Sequence, residues 1–127
     1  MKRLGHIALI TRNRAALRDF YVKFLGMRII YDNEHSTMVR LTDSEYDCGL
    51  VFMEAEGAPP GPLTHYNHLG FNVADRAELA SYVERAAELG VPCQGPLEDP
   101  YIGYYAFFRD PDGNGVELST PEGVNRY

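Results

Sequence analysis

Gly5-His6-Ile7-Ala8-Leu9-Ile10-Thr11 returns, 62 residues further along, as Asn67-His68-Leu69-Gly70-Phe71-Asn72-Val73. Each stretch is an apolar, strand-like run with a histidine at its second position. Arg14, Ala15 and Leu17 recur as Arg76, Ala77 and Leu79 at the same offset, and after a two-residue slip Leu25-Gly26 recurs as Leu89-Gly90. A repeat of this length marks two copies of one supersecondary unit. His6 and His68 are therefore expected at symmetry-related places in the fold. Two imidazoles facing each other would supply half of a metal site.

Reading outward from the first copy, Asn13 is placed to cap a helix. Leu17, Phe20, Tyr21, Phe24 and Leu25 fall at i, i+3, i+4, i+7 and i+8, one buried stripe that Gly26 ends. Strands are expected over Met27–Tyr31, Thr37–Leu41 and Cys48–Glu54, separated by turn-rich segments. In the second copy, Tyr66–Val73 is the leading strand, and Asp75 with Glu78 has the spacing of a capping box. Leu79, Val83, Ala86 and Ala87 form the helix stripe, and Gly90 is its stop. The remaining strands are Val91–Gln94, Tyr104–Arg109 and Gly115–Ser119, the last two joined by the turn sequence Asp110-Pro111-Asp112-Gly113-Asn114. The segment Gly95–Gly103, with Pro96 and Pro100, reads as a loop suited to a pocket rim.

The expected fold is α+β: two β-α-β-β-β modules forming a cupped, barrel-like mixed sheet with helices outside. The chain is read as one domain over 1–127. Module 1 covers about 1–54, a Pro/Gly-rich linker 55–64, module 2 about 65–120, and a tail 121–127. At 127 residues neither half could bury a sufficient core alone.

Composition narrows the function classes. A net charge of −6 and the absence of a Lys/Arg cluster argue against a nucleic-acid surface. No run approaches the ~20 apolar residues of a membrane span. Leu4–Ile10 is too short for the core of a signal peptide and leads into Arg12 and Arg14. Cys48 and Cys93 are isolated, so the expected setting is the cytoplasm with reduced thiols.

Strand alternation then points at a site. Ile7 and Leu9 share one face, and His6, Ala8 and Ile10 the other. Leu69, Phe71 and Val73 oppose His68, Gly70 and Asn72. In the last strand Val116 and Leu118 oppose Glu117, which lies between Gly115 and Ser119. A mid-strand carboxylate is costly to bury unless it is paired or ligated. Three strands thus each offer one metal-competent side chain on a face otherwise kept small. Two imidazoles and one carboxylate with open positions are the pattern of non-haem Fe(II) sites.

The duplicated β-α-β-β-β pattern, Gly5-His6-Ile7-Ala8, Asn67-His68-Leu69-Gly70-Phe71 and the run from Phe107 to Leu118 resemble the vicinal oxygen chelate superfamily. That superfamily includes glyoxalase I, extradiol dioxygenases and bleomycin-resistance proteins. The resemblance covers the chain up to Thr120, and the stretch from Phe108 to Leu118 is its most specific part. It implies metal ligands at His6, His68 and Glu117, a small-molecule substrate and a homodimer.

Two departures from the family pattern matter. The fourth ligand of glyoxalase I falls at Val51 or Leu50, depending on which repeat is aligned, and neither can bind a metal. Glu54, at the end of the expected strand, and Glu56, beyond it, are the carboxylates available as substitutes. The tyrosine that extradiol dioxygenases place ten residues before the glutamate falls at Phe107, and their upstream histidine has no clear counterpart. Tyr105, on Phe107's face, and His65, just before the second histidine strand, are the residues available for acid–base work. The resulting expectation is a metal-dependent oxidoreductase resembling extradiol dioxygenases. It would act on a small aromatic vicinal diol through a 2-His-1-Glu centre, with Fe(II) ahead of Mn(II) or another divalent ion. A glyoxalase-type lyase or isomerase and a metal-free binder of an aromatic antibiotic are the competing readings.

Overall fold

The computed structural model describes residues 2–55 and 67–122. Most of the expected linker, the loop histidine His65 and the end of the tail lie outside them. By contact the chain divides into two units, Met1–Gly61 and Pro62–Tyr127.

The first unit runs β1 (His6–Thr11), α1 (Arg14–Asp19), a π-helical stretch (Phe20–Phe24), β2 (Arg28–Asp32), β3 (Thr37–Arg40) and β4 (Gly49–Glu54). Asn13 caps α1, its side-chain oxygen accepting from the Ala16 N–H at 3.0 Å. All five residues of the expected stripe are buried. The helix is not regular, however: it widens into the π-helical stretch where the aromatics crowd. Phe20 meets Tyr21 edge-on at 4.9 Å and stacks on Phe24 at 5.2 Å, while Tyr21 tilts against Phe52 at 5.3 Å. Gly26, at φ +71°, then lets the chain reverse into β2. The sheet order is β1-β4-β3-β2, with β1 parallel to β4 and the other pairs antiparallel.

The second unit repeats the plan: β5 (Leu69–Asn72), α2 (Arg76–Leu89), β6 (Cys93–Asp99), β7 (Gly103–Arg109) and β8 (Gly115–Ser119), in the order β5-β8-β7-β6 with β5 parallel to β8. Asp75 Oδ1 accepts from the Glu78 N–H at 2.8 Å, and Glu78 Oε2 accepts from the Ala74 N–H at 2.5 Å. This is a capping box reaching one residue further back than usual. Leu79 and Ala86 are fully buried, whereas Ala87, at the margin of the expected stripe, is exposed. Gly90, left-handed at φ +70°, closes the helix as expected.

The loop expected over Gly95–Gly103 is a strand for half its length. β6 continues through Gly95-Pro96 to Asp99 by means of a bulge between Gln94 and Leu97. Gly95 takes the positive φ of +116°, and Pro96, which has no N–H, is tolerated because β6 is an edge strand. Only Pro100–Ile102 form the turn, held by Asp99 Oδ1, which accepts from the N–H groups of Tyr101 and Ile102.

The fold class is α+β, with the β-α-β-β-β order in both units. In each, the helix packs on one face of its own open four-stranded sheet, α1 over β3 and β4 and α2 over β6 and β7. The opposite face is left for the residues singled out by alternation.

Candidate functional site

In the first unit, β1 alternates as its sequence predicts: His6, Ala8 and Ile10 are exposed, and Leu9 and Thr11 are buried. His6 pairs across the parallel ladder with Gly49, and Ala8 with Val51. Gly49 is small for a visible reason. A Cβ there would lie 2.2 Å from the Met38 methyl, so Met38 occupies the space a side chain would need.

In the second unit the equivalent ladder pairs Gly70 with Glu117. Ala8 and Gly70 are related by the repeat, so the register makes Val51, not Leu50, the counterpart of Glu117. The ambiguity in the sequence alignment is thereby resolved. Glu54, one of the substitutes considered for the missing ligand, is engaged elsewhere: its Oε1 accepts from the Arg14 N–H at 3.3 Å, at the start of α1. Glu56 lies outside the described residues.

The structure brings two of the three expected ligands together. His68 sits just before β5 and Glu117 in mid-β8. Nε2 and Oε2 are 3.7 Å apart, with the side chains 27% and 14% exposed. Gly70 lies alongside, where a Cβ would stand in ordinary contact, 3.5 Å from Oε2. Phe107, opposite Glu117 across the β7–β8 ladder, holds its ring edge-on to the imidazole at 4.9 Å. Tyr105 follows on the same face, 6.1 Å from Phe107.

This donor set suits a divalent ion. Nitrogen and oxygen ligands at ~2.0–2.2 Å from one ion lie roughly 3–3.5 Å from each other. A few tenths of an ångström of side-chain movement would close the observed gap. The carboxylate is also more than four-fifths buried, where an unpaired charge is expensive. Within either unit, no third His, Cys, Asp or Glu among the described residues joins the pair. His6 belongs to the first unit, and His65 lies outside the described residues.

A second row of side chains lies beyond Glu117. Asn72 and Ser119 are register partners on β5 and β8, and Asn72 Nδ2 donates to Ser119 Oγ at 3.4 Å. Tyr105 is opposite Ser119 on the other side. Alternation already put Asn72 on the face of His68 and Ser119 on that of Glu117. What the sequence lacked was the register that makes them neighbours. Asp110 and Tyr101 lie at turns, and Glu98 on the edge strand β6. Asp110, buried, accepts from the Asp112 and Asn114 N–H groups and from Asn114 Nδ2, which fixes the β7–β8 turn. Glu98 pairs with Arg76 at 2.9 Å, and Arg76 also lies over the Tyr104 ring at 4.3 Å. Tyr101 is an exposed turn residue.

Comparison with known proteins places this fold and site in context. The chain is 34% identical over 121 residues to PA2024, an uncharacterized protein of Pseudomonas aeruginosa, covering 91% of this chain and 86% of that one. It is 27% identical over 137 residues to biphenyl-2,3-diol 1,2-dioxygenase 3 of Rhodococcus globerulus, covering 98% and 69%. Among solved structures, TnmS3, an antibiotic binding protein from Streptomyces sp. CB03234, superimposes with a TM-score of 0.75 at 27% identity over 95% of this chain and 97% of that one. No helix among the described residues is long and apolar enough to cross a membrane. The family model described as the Glyoxalase/Bleomycin resistance protein/Dioxygenase superfamily matches residues 3–118, and with the duplicated β-α-β-β-β architecture it shows that the chain belongs to this superfamily.

Proposed function

We propose that the protein is a metal-dependent oxidoreductase of the extradiol-dioxygenase type, acting on a small aromatic vicinal diol through His6, His68 and Glu117. The observation that carries this reading is the approach of His68 Nε2 to Glu117 Oε2, 3.7 Å apart on a sheet face kept small by Gly70. A divalent ion held there, Fe(II) ahead of Mn(II), would supply Lewis acidity and a template for both reactants. The pairing of Val51 with Ala8 supports three protein ligands rather than four, which favours dioxygenase over glyoxalase chemistry. Phe107 offers an aromatic wall beside the imidazole. Tyr105 and His65 are the groups proposed to move protons, in place of the acid–base residues that the family pattern would put at Phe107 and upstream. The same reading carries a cytoplasmic setting and a homodimer, the latter checked by sedimentation.

Anaerobic reconstitution with Fe(II), followed by oxygen-uptake measurements over a panel of catechols, tests the proposal. Uptake with a ring-opened chromophore is expected from at least one diol. No uptake from any of them sinks it.

The likeness to TnmS3, together with the phenylalanine at the position of the dioxygenase tyrosine, favours one second reading: a binder of aromatic antibiotics that does no chemistry. Aromatic-ligand binding that survives exhaustive chelation, in protein that purifies without metal, would establish it in place of the first.

A further inference from the structure

The face that carries His68 and Glu117 is ordered in rows across the strands. One row is Gly70, Glu117 and Phe107. The next, two residues further along β5 and β8, is Asn72, Ser119 and Tyr105. Successive rows on one face are about 7 Å apart, the scale of a single substituted ring. The first row offers a carboxylate and an aromatic ring edge, the second amide and hydroxyl groups. On the opposite face Leu69, Val116 and Leu118 are buried and Phe71 is part-buried. Ser119 is 8% exposed. It accepts from Asn72 Nδ2 at 3.4 Å, longer than the usual N–H···O range. The Asn72 amide oxygen and the serine proton keep capacity for a further partner. Asn72 is itself exposed, so that partner can come from outside the fold.

We propose that Asn72 and Ser119 form a specificity subsite for a hydrogen-bonding substituent on the ring, at the end remote from the oxygens directed to His68 and Glu117. The substrate class is then a catechol carrying a neutral donor–acceptor group, such as an amide or hydroxymethyl, opposite its vicinal hydroxyls. An alkyl group in that place leaves the polar pair unanswered, which is the situation in which such sites discriminate most strongly.

This inference rests on the diol-binding reading above, and the test separates the two. Fe(II)-loaded, oxygen-free protein is titrated calorimetrically with catechol, 4-methylcatechol and 3,4-dihydroxybenzamide. The native protein is expected to bind the benzamide about 10-fold more tightly than the methyl compound. In Asn72→Ala and in Ser119→Ala that ratio falls to within about 2-fold, with catechol still bound. Comparing ratios between variants cancels the effect of each substituent on the acidity of the diol. Asn72 is exposed, so its variant guards against a folding defect in Ser119→Ala. A ratio that is absent in the native protein, or that persists in both variants, overturns the subsite and leaves the diol reading standing. Failure to bind any of the three overturns both.

Discussion

The two modules share a strand order, a parallel ladder between their first and last strands, and a histidine at the head of each. The face beside each histidine differs. In the second module Gly70 is opposite Glu117, with Asn72 and Ser119 beyond. In the first, Ala8 is opposite Val51, with Ile10 and Met53 beyond, 43% and 41% exposed. One sheet face is built for polar contacts and its counterpart is apolar. The two units share a scaffold, while the residues at matching positions of this face differ. The asymmetry is therefore chemical rather than architectural.

The sharpest way to break this comparison is at the paired positions themselves. On the function proposed above, Glu117→Ala is expected to lower metal affinity and activity by on the order of 100-fold or more, since even residues that only orient a ligand are worth 10–100-fold. Val51→Ala should leave iron content unchanged and cost roughly 1–3 kcal/mol of stability as a core truncation. Both are read by metal analysis beside urea unfolding. Equal iron loss in both variants would mean that the modules do not differ as described.

The turns that join the last two strands of each module differ as well. In module 2 the buried Asp110 answers three donors. In module 1 the connection is exposed, with Thr42 donating to Asp47. Asp110→Ala should cost about 2–4 kcal/mol, because it strands buried N–H groups. Asp47→Ala should cost no more than about 0.5 kcal/mol. Equilibrium urea titration measures both.

A smaller contrast lies in two glycines of the parallel ladders. Gly49→Ala drives a methyl into Met38, whose flexible end can swing away, for about 1–2 kcal/mol. Gly70→Ala makes only ordinary contact with Glu117 Oε2 and should change thermal stability little, by less than about 0.5 kcal/mol.

The smallest expected effect concerns acid, and here the modules behave alike. Asp32 is held below its usual range by the Thr37 hydroxyl and then by Arg18. Glu122 is held below its own by Arg76 and then by Thr120. Because each folded value lies below the unfolded one, the stabilisation is present above the ordinary carboxylate pKa. It is lost as pH falls through the folded value. Asp32→Asn and Glu122→Gln should each make stability fall less steeply between about pH 5 and pH 3, measured by urea midpoints across that interval. Both groups are exposed, so the flattening will be slight.

Much of this was legible beforehand, and for local reasons. The stripe from Leu17 to Leu25 is buried as its spacing required, and Asn13, Gly26 and Gly90 act where cap and stop chemistry put them. Period-two alternation is plain in β1, where His6, Ala8 and Ile10 are exposed and Leu9 and Thr11 are buried. The segment from Gly95 to Gly103 reads as a loop because Gly-Pro is a breaker, yet β6 runs through to Asp99. An edge strand can absorb that dipeptide in a bulge, and whether a strand is an edge is a property of the whole sheet.

By itself the sequence determined the duplication, the β-α-β-β-β order of each half and which side of each strand every residue takes, since repeats, helix stripes and strand alternation are all written in neighbouring residues. Only the tertiary structure decided that Val51 is the mate of Glu117, that His68 comes within 3.7 Å of that carboxylate, and that Asn72 reaches Ser119. Those facts depend on register between strands some forty or more residues apart, where a slip of one position would exchange every face. That register is fixed by the packing of the whole sheet rather than by any local preference.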